Sequence, residues 1–419
     1  MSSSGPARNG PSAFTLKLLS SLQNPGYRLY FFGTLAHYAA MSMQIVSSPL
    51  LIFYLTGKTE WLGMISLVSA APMLGVSVFG GAFADRLQKK KILIGGLIGS
   101  AAVSTTVALV LVTGVLNKDN PSSWFILLGT STVQGAIMGM MMPALMAIIP
   151  EIINRDKLMN AIALNTTGMN AVNLIAPPIA GFIIADANYQ AAYFTMAGLY
   201  LCAASIMIFI PARTRIITGT GNILREMQKG FQYIGKNPLI LQILAFTLII
   251  VVLSMPYQQF IPVYVEEILH TGAAGSGILN GVCGGGALAG SLLLAALPGK
   301  KRGLMLLGSG VLAGAALAVF SFSAVWGLSL VVIFLVGLCQ AFRNTIGSVL
   351  LQTYTEDAYM GRVMSIVNMQ WGVMSLGTFL VGIMAAVLPV QWVLGSMAML
   401  LVALSLYFAI FVPAVRRVE

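Results

Sequence analysis

The stretch "GGAFADRLQKKKILIGG", residues 80–96, crowds one acid and four bases (Asp85, Arg86, Lys89, Lys90 and Lys91) between two long apolar runs. Charge is scarce elsewhere. Of 419 residues, 58% are hydrophobic and 8% charged, against roughly 25% charged in an ordinary soluble chain. A water-soluble fold of this composition would leave large apolar patches facing solvent. The chain therefore reads as a polytopic membrane protein, and the charged stretch as a loop at the membrane edge.

Working outward from that loop, a helix that crosses the hydrocarbon core needs about 20 mostly apolar residues. Such runs lie near 28–54, 61–84, 92–116, 123–149, 160–185, 190–212, 238–264, 273–297, 303–322, 326–351, 363–388 and 391–413. Lipid offers the backbone no outside hydrogen-bond partner, so each run is expected to be helical. The expected fold is an all-α integral membrane protein of twelve transmembrane helices. With the N-terminus placed in the cytoplasm, twenty Lys and Arg fall inside, from Arg8 to Arg417, and only Lys58 and Lys118 fall outside. This asymmetry orients the chain with both termini cytoplasmic in a plasma or bacterial inner membrane. It also accounts for the net charge of +11 through anionic lipid, with no need for nucleic acid.

Residues 213–237, "RTRIITGTGNILREMQKGFQYIGKN", form the longest internal polar stretch. Ile223, Leu224, Met227, Phe231 and Ile234 recur there at helical spacing, which predicts an amphipathic helix on the inner membrane surface. The chain thus divides into a tail (1–27), a six-helix bundle (28–212), a linker (213–237), a second six-helix bundle (238–413) and a short tail (414–419). The halves echo each other. Asn24-Pro25 and Asn237-Pro238 open corresponding spans, and Gln134 and Gln340 each stand seventeen residues before an inner-loop acid, Glu151 and Asp357. Parallel six-helix repeats produce this pattern.

The polar first residues lack an apolar core before a cleavage site, so no cleaved signal is expected. Cys202, Cys283 and Cys339 lie in apolar runs, without a CxxC or a His/Cys cluster. Neither a disulfide framework nor a metal is expected, and no cofactor.

Gly81, three residues, Asp85-Arg86, two residues and then Lys89-Lys90 resembles the loop signature of the major facilitator superfamily, with Gln88 where the family usually has Gly. The resemblance implies two bundles that rock about a central site, and a cytoplasmic gate in which Gly81, Asp85, Arg86, Lys89, Lys90 and, from the second half, Arg362 take part. "LYFFGTLAHYAAMSMQIVSSPLLIFYLTGKTEWLGMISLVSAAPMLGVSVFGGAFADR", residues 149–185 and residues 350–385 are similar to the drug and siderophore exporters of that superfamily, the macrolide-efflux and enterobactin-exporter-like branch. Ala176, Pro177, Ala180 and Gly181 resemble its antiporter motif, with alanine at two of three glycine positions. The arginine that many proton-coupled relatives carry three residues before Gln134-Gly135 is Ser131 here.

Arg343 is the one charge deep inside a span, about 12–15 Å from its inner end by helical rise. A buried charge in a span is costly and marks a functional candidate, for an anionic or carbonyl-rich cargo; the alternative is a side chain that snorkels to the headgroups. His37 is the intramembrane group suited to titrate near neutral pH, and Glu266 and Glu267 stand at the outer mouth of span seven as further proton-coupling candidates. Gln44, Gln134, Gln258, Asn280, Gln340, Asn344, Asn368 and Gln370 supply uncharged polar groups in the spans. Met138 and Met141, among other methionines, supply adaptable surface for a bulky amphiphile.

No ATPase loop is present, so transport would draw on protons or another coupling ion. The expected activity is alternating-access export of a hydrophobic or amphiphilic small molecule by a monomer embedded in lipid. Import of an anionic metabolite and a non-transporting sensor are the alternatives. An enzyme is not expected, because no Ser/His, Asp/Asp or metal constellation lies at depth.

Overall fold

The computed structural model describes residues 19–86, 88–120, 123–211, 223–297, 301–416 and 418, without the side chains at 19–20, 78–86, 155–156, 223–227, 357–358, 365, 368 and 371. Among the described residues the regular elements are all helical. The first half comprises α1 (Pro25–Thr56), α2 (Thr59–Arg86), α3 (Lys89–Val112), α4 (Trp124–Ile152), α5 (Arg155–Asp186) and α6 (Tyr189–Ile208). The linker carries α7 (Ile223–Lys236). The second half comprises α8 (Pro238–Ser254), α9 (Tyr257–Val263), α10 (Gly272–Ala296), α11 (Arg302–Phe322), α12 (Trp326–Tyr354), α13 (Asp357–Asn368), α14 (Gln370–Ala385), α15 (Val390–Phe411) and the short α16 (Pro413–Arg416). Among the described residues eleven stretches are long and apolar enough to cross a membrane, and the shorter Gly372–Ala385 stretch makes the twelfth apolar helix.

Local chemistry sets the ends of these helices. Asn24 caps α1 by accepting from the backbone N–H groups of Gly26 and Tyr27, and its own amide donates to the carbonyl of Ile152 at 3.1 Å. Pro25 and Pro238 occupy first-turn positions, where a missing N–H costs nothing. Gly57 ends α1 in the left-handed region at φ 62°, returning its N–H to Phe53.

Two of the expected continuous helices are broken. Span seven stops at Ser254, resumes as α9 and finishes in a π-helical turn, Tyr264–Ile268; Pro256, lacking an N–H, sits at the break. Span eleven tightens at Met369 into three-residue hydrogen bonds, Met369 N–H to Ile366 and Gly372 N–H to Met369, and so divides into α13 and α14. Span three also ends early, at Val112 rather than near 116.

Within each half the second helix packs on the fourth and the third on the sixth: α2 on α4, α3 on α6, α10 on α12, α11 on α15. Glycines make the first kind of contact possible. A Cβ at Gly135 or Gly139 of α4 would run into the carbonyls of Ser69 and Met73, and one at Gly337 of α12 into that of Cys283.

The face that carries the start of α1, α7 and α16 is the terminal face; the opposite one is the distal face. Among the described residues the main contacts between the halves follow two seams, with lesser ones from α9 and α10 to α1 and from α9 to α2. On α5 and α10, Gly181 lies against Ala273 and Gly277, Pro178 against Gly281, and Asn173 against Gly284. On α2 and α14, Gly63 lies against Phe379 and Gly382, and Leu74 fills the space over Gly372. Among the described residues, close cross-half contact at glycine is confined to the distal half of the molecule and its middle. Nearer the terminal face, Met159, Ile162, Thr166 and Thr167 of α5 and Asn344 and Thr345 of α12 are exposed.

The linker helix α7 rests on α13. The rings of Tyr233 and Tyr359 stack 4.1 Å apart at an interplanar angle of 7°. Glu356 donates its backbone N–H to the Tyr233 hydroxyl at 3.1 Å, and Gly230 abuts Arg362. Ile234 is buried in the core of the second half.

Candidate functional site

Both breaks contribute to a polar cluster built on α12. Gln340 and Arg343 stand three residues apart and so share a helix face. Gln340 donates to the hydroxyl of Tyr257, the first residue after the span-seven break, at 3.4 Å; that hydroxyl also lies 3.3 Å from the Cys283 sulfur on α10. Arg343 donates to the side-chain oxygen of Gln370, the first residue after the span-eleven break, at 3.2 Å. Arg343 is 2% exposed as a residue, and its Nε has no partner. It stays inside the bundle instead of reaching the terminal face. No carboxylate pairs with it among the described residues, so a buried positive charge is left with donor capacity to spare. Such a group favours an anionic or carbonyl-rich guest.

The first half supplies neutral polar groups. His37 is wholly buried, its ring 5.5 Å from that of Tyr38 and 5.9 Å from that of Tyr200, and neither ring nitrogen has a hydrogen-bond partner. The Tyr200 hydroxyl donates to Gln44 at 3.2 Å, and Gln134 donates to Ser100 at 3.2 Å while its own side-chain oxygen is unpaired. Two bonds eight residues apart on both helices stitch α1 to α5: Thr34 to Asn165 at 3.1 Å, and Ser42 to Asn173.

Other expected site residues are distributed more widely. Gln258 is half-buried and Asn344 exposed. Asn280 spends its amide on the Ser276 carbonyl at 2.9 Å. Met138 is buried. Met141, expected on the pathway, is fully buried between α3 and α4, where its thioether occupies the space that Gly96 leaves without a side chain. Glu266 and Glu267 are exposed in the π-helical turn on the distal face, with His270 bonded to the Glu266 carbonyl at 3.0 Å.

Of the residues expected at the gate, Lys89 forms an ion pair with Glu151 at the end of α4, and Lys90 donates to the Ile210 carbonyl after α6 at 2.8 Å. Both partners belong to the same half, which closes the terminal end of the first bundle on itself. Helix α2 runs to Arg86, but the side chains of Gly81, Asp85 and Arg86, like that of Asn368, lie outside the described residues. Arg362 stands over the Tyr359 ring, 5.0 Å from its centroid. In the antiporter-like motif, Ala176 and Ala180 are buried in the first half, while the Pro177 carbonyl and Gly181 face Gly277 across the α5–α10 seam.

Tyr257 and Cys283 were not expected at the site. Pro256 is the local signal that marks Tyr257; nothing in the sequence pairs it with Cys283.

The pattern described as Major Facilitator Superfamily matches residues 30–375. The chain is 25% identical over 344 residues to "Enterobactin exporter EntS" of Citrobacter koseri, covering 81% of this chain and 80% of that one. It is 24% identical over 350 residues to "Staphyloferrin A transporter" of Staphylococcus aureus, covering 83% and 86%. Among solved structures, the peptide transporter POT in complex with sulfate superposes with a TM-score of 0.73 at 12% identity, covering 94% of this chain and 95% of that one. A bacterial homologue of the human lysosomal transporter Spinster, in an inward-facing and unoccupied conformation, superposes with a TM-score of 0.66 at 12% identity, covering 98% of each chain. These two likenesses concern the fold.

Proposed function

The chain belongs to the major facilitator superfamily and is a multi-pass membrane transporter of small molecules; from that premise we propose that it exports an amphiphilic, anionic or carbonyl-rich cargo by alternating access, driven by the proton gradient across a bacterial inner membrane. The observation that carries the cargo class is Arg343: a buried guanidinium held at one point by Gln370, with an unpaired Nε and no acid against it among the described residues. Export is favoured by the likeness to an enterobactin exporter, and by Pro177 and Gly181 lying at the seam between the halves.

In this reading both termini are cytoplasmic, since the bases crowd the terminal face, and the distal seams of α5–α10 and α2–α14 are closed while the site is reached from the cytoplasm. Opening those seams exposes the site to the other side. His37 is the proton-site candidate. A buried ring with two unpaired nitrogens has a desolvation cost without a structural return, the situation in which a functional reason is sought. Glu266 and Glu267 are placed to meet protons at the distal mouth. The protein works as a monomer.

The test is flux from proteoliposomes under an imposed pH gradient, across siderophores, macrolides and cationic dyes. Uptake into inverted vesicles that needs the gradient supports the proposal; movement only in the opposite direction identifies an importer of anions, the reading Arg343 would also suit. Arg343→Ala is expected to lower flux of anionic cargo by about tenfold or more, the scale of one charge-assisted hydrogen bond, while sparing neutral cargo. Equal loss for all cargo assigns Arg343 to structure alone.

A further inference from the structure

A slot of about 230 Å3 lies between the terminal-face ends of α10, α11 and α12, away from the polar cluster. Its walls are mainly apolar, with Leu294, Met305, Ile346 and Val349 among them, and Arg302 stands at its rim. It falls below the roughly 300–1,000 Å3 of pockets that enclose drug-sized ligands, so it does not suit a bulky cargo. Ala295 and Thr345, which also line it, are exposed, so the slot opens at the molecular surface. Its position is the level at which a span ends and headgroups begin.

Among the described residues the charge at the rim is of one sign. Arg302 has no carboxylate partner among the described residues, and the neighbouring Lys301 is exposed. The backbone of the first turn of α11 is already engaged, because the Gly303 N–H donates to the Val418 carbonyl at 3.1 Å. An anion here would meet the guanidinium.

We propose that this slot binds an anionic phospholipid, one acyl chain lying along the apolar walls and the phosphate meeting Arg302. Hydrocarbon alone would fill the walls but leave the guanidinium unpaired. A soluble anion would pair with the guanidinium but leave the walls open to water. A lipid of the terminal-face leaflet satisfies both, and anionic headgroups concentrate where bases do.

The test is native mass spectrometry of the full chain released from detergent with phosphatidylglycerol or phosphatidylcholine. One phosphatidylglycerol is expected to stay bound at collision energies that strip phosphatidylcholine. Arg302→Gln should weaken its retention about tenfold, the scale of one charge-assisted hydrogen bond, while Lys301→Gln should leave most of it. Ala295→Trp, at an exposed position that fills the slot, should abolish it with Arg302 intact, and so decides the matter even where Arg302→Gln is not produced. Equal retention of the two lipids, unchanged retention in Arg302→Gln or Ala295→Trp, or displacement of the lipid by millimolar inorganic phosphate would overturn the proposal.

Discussion

Gly277 sits at the α5–α10 seam, where an added methyl would lie 2.5 Å from the Pro177 carbonyl oxygen and 3.0 Å from the Gly181 Cα. These are backbone atoms of another helix and cannot rotate away. Gly277→Ala should therefore cost the closed seam about 1–3 kcal/mol, the range for overpacking. The gain in helix propensity, about 0.5–1 kcal/mol, is present whether the seam is closed or open, so it cancels between the two states. The net effect is a shift of about 5–150-fold toward the distally open state. Gly337→Ala is the control: its methyl would collide with the Cys283 carbonyl inside the second half. That contact is kept in both states, so the variant should lower thermal stability without changing their ratio. Spin labels at Lys58 and Val387, exposed on the distal face of opposite halves, report the separation. Cys202 is the exposed native cysteine to be replaced first. Longer distances in Gly277→Ala alone are expected. An unchanged distribution in folded Gly277→Ala, or the same change in Gly337→Ala, would refute the idea that the halves part along this seam.

Further outcomes follow from single contacts. Lys89 and Glu151, both mostly shielded from solvent, should show a coupling of about 1–2 kcal/mol in a double-mutant cycle of thermal stability, above the range of exposed pairs; a coupling near zero would mean that the pair contributes nothing to closing the first bundle. Gly57→Ala, at φ 62° with open space around it, should cost about 1–2 kcal/mol from left-handed backbone strain alone, and Gly57→Asn should cost less; equal melting midpoints for all three proteins would exclude strain as the cause. Tyr257→Phe leaves Gln340 and Cys283 without their shared partner, at about 0.5–1.5 kcal/mol per lost bond, and should reduce flux while expression is kept; full flux would remove Tyr257 from the site.

The sequence exposes its spans because lipid demands long apolar runs, and the twelve runs correspond to the helices found. It conceals the breaks. Pro256 interrupts span seven, yet Pro49, Pro72, Pro143 and Pro177 lie inside unbroken helices, so a proline alone does not reveal where a helix stops. The break at Met369 has no residue signature at all. Arg343 was legible because a charge in hydrocarbon is conspicuous, whereas its partner Gln370 was one amide among several. Methionine orientation was not legible either. Met141 belongs to the α3–α4 contact because Gly96 happens to face it, a matching that depends on how two helices are rotated against each other. The glycine-rich run "GVCGGGALAG", residues 281–290, serves two neighbours at once, which its spacing does not reveal. Gly281 and Gly284 meet α5 across the seam, and Gly286 and Gly290 meet α12 within the half.

The aromatic stack of Tyr233 on Tyr359 makes α7 a passenger of the second lobe. What joins the lobes covalently is then only the shorter stretch ahead of Ile223. Two polypeptides divided just before that residue should reassemble in one membrane as a working carrier. A division placed after Lys236 would leave the helix on the wrong fragment, without its seat.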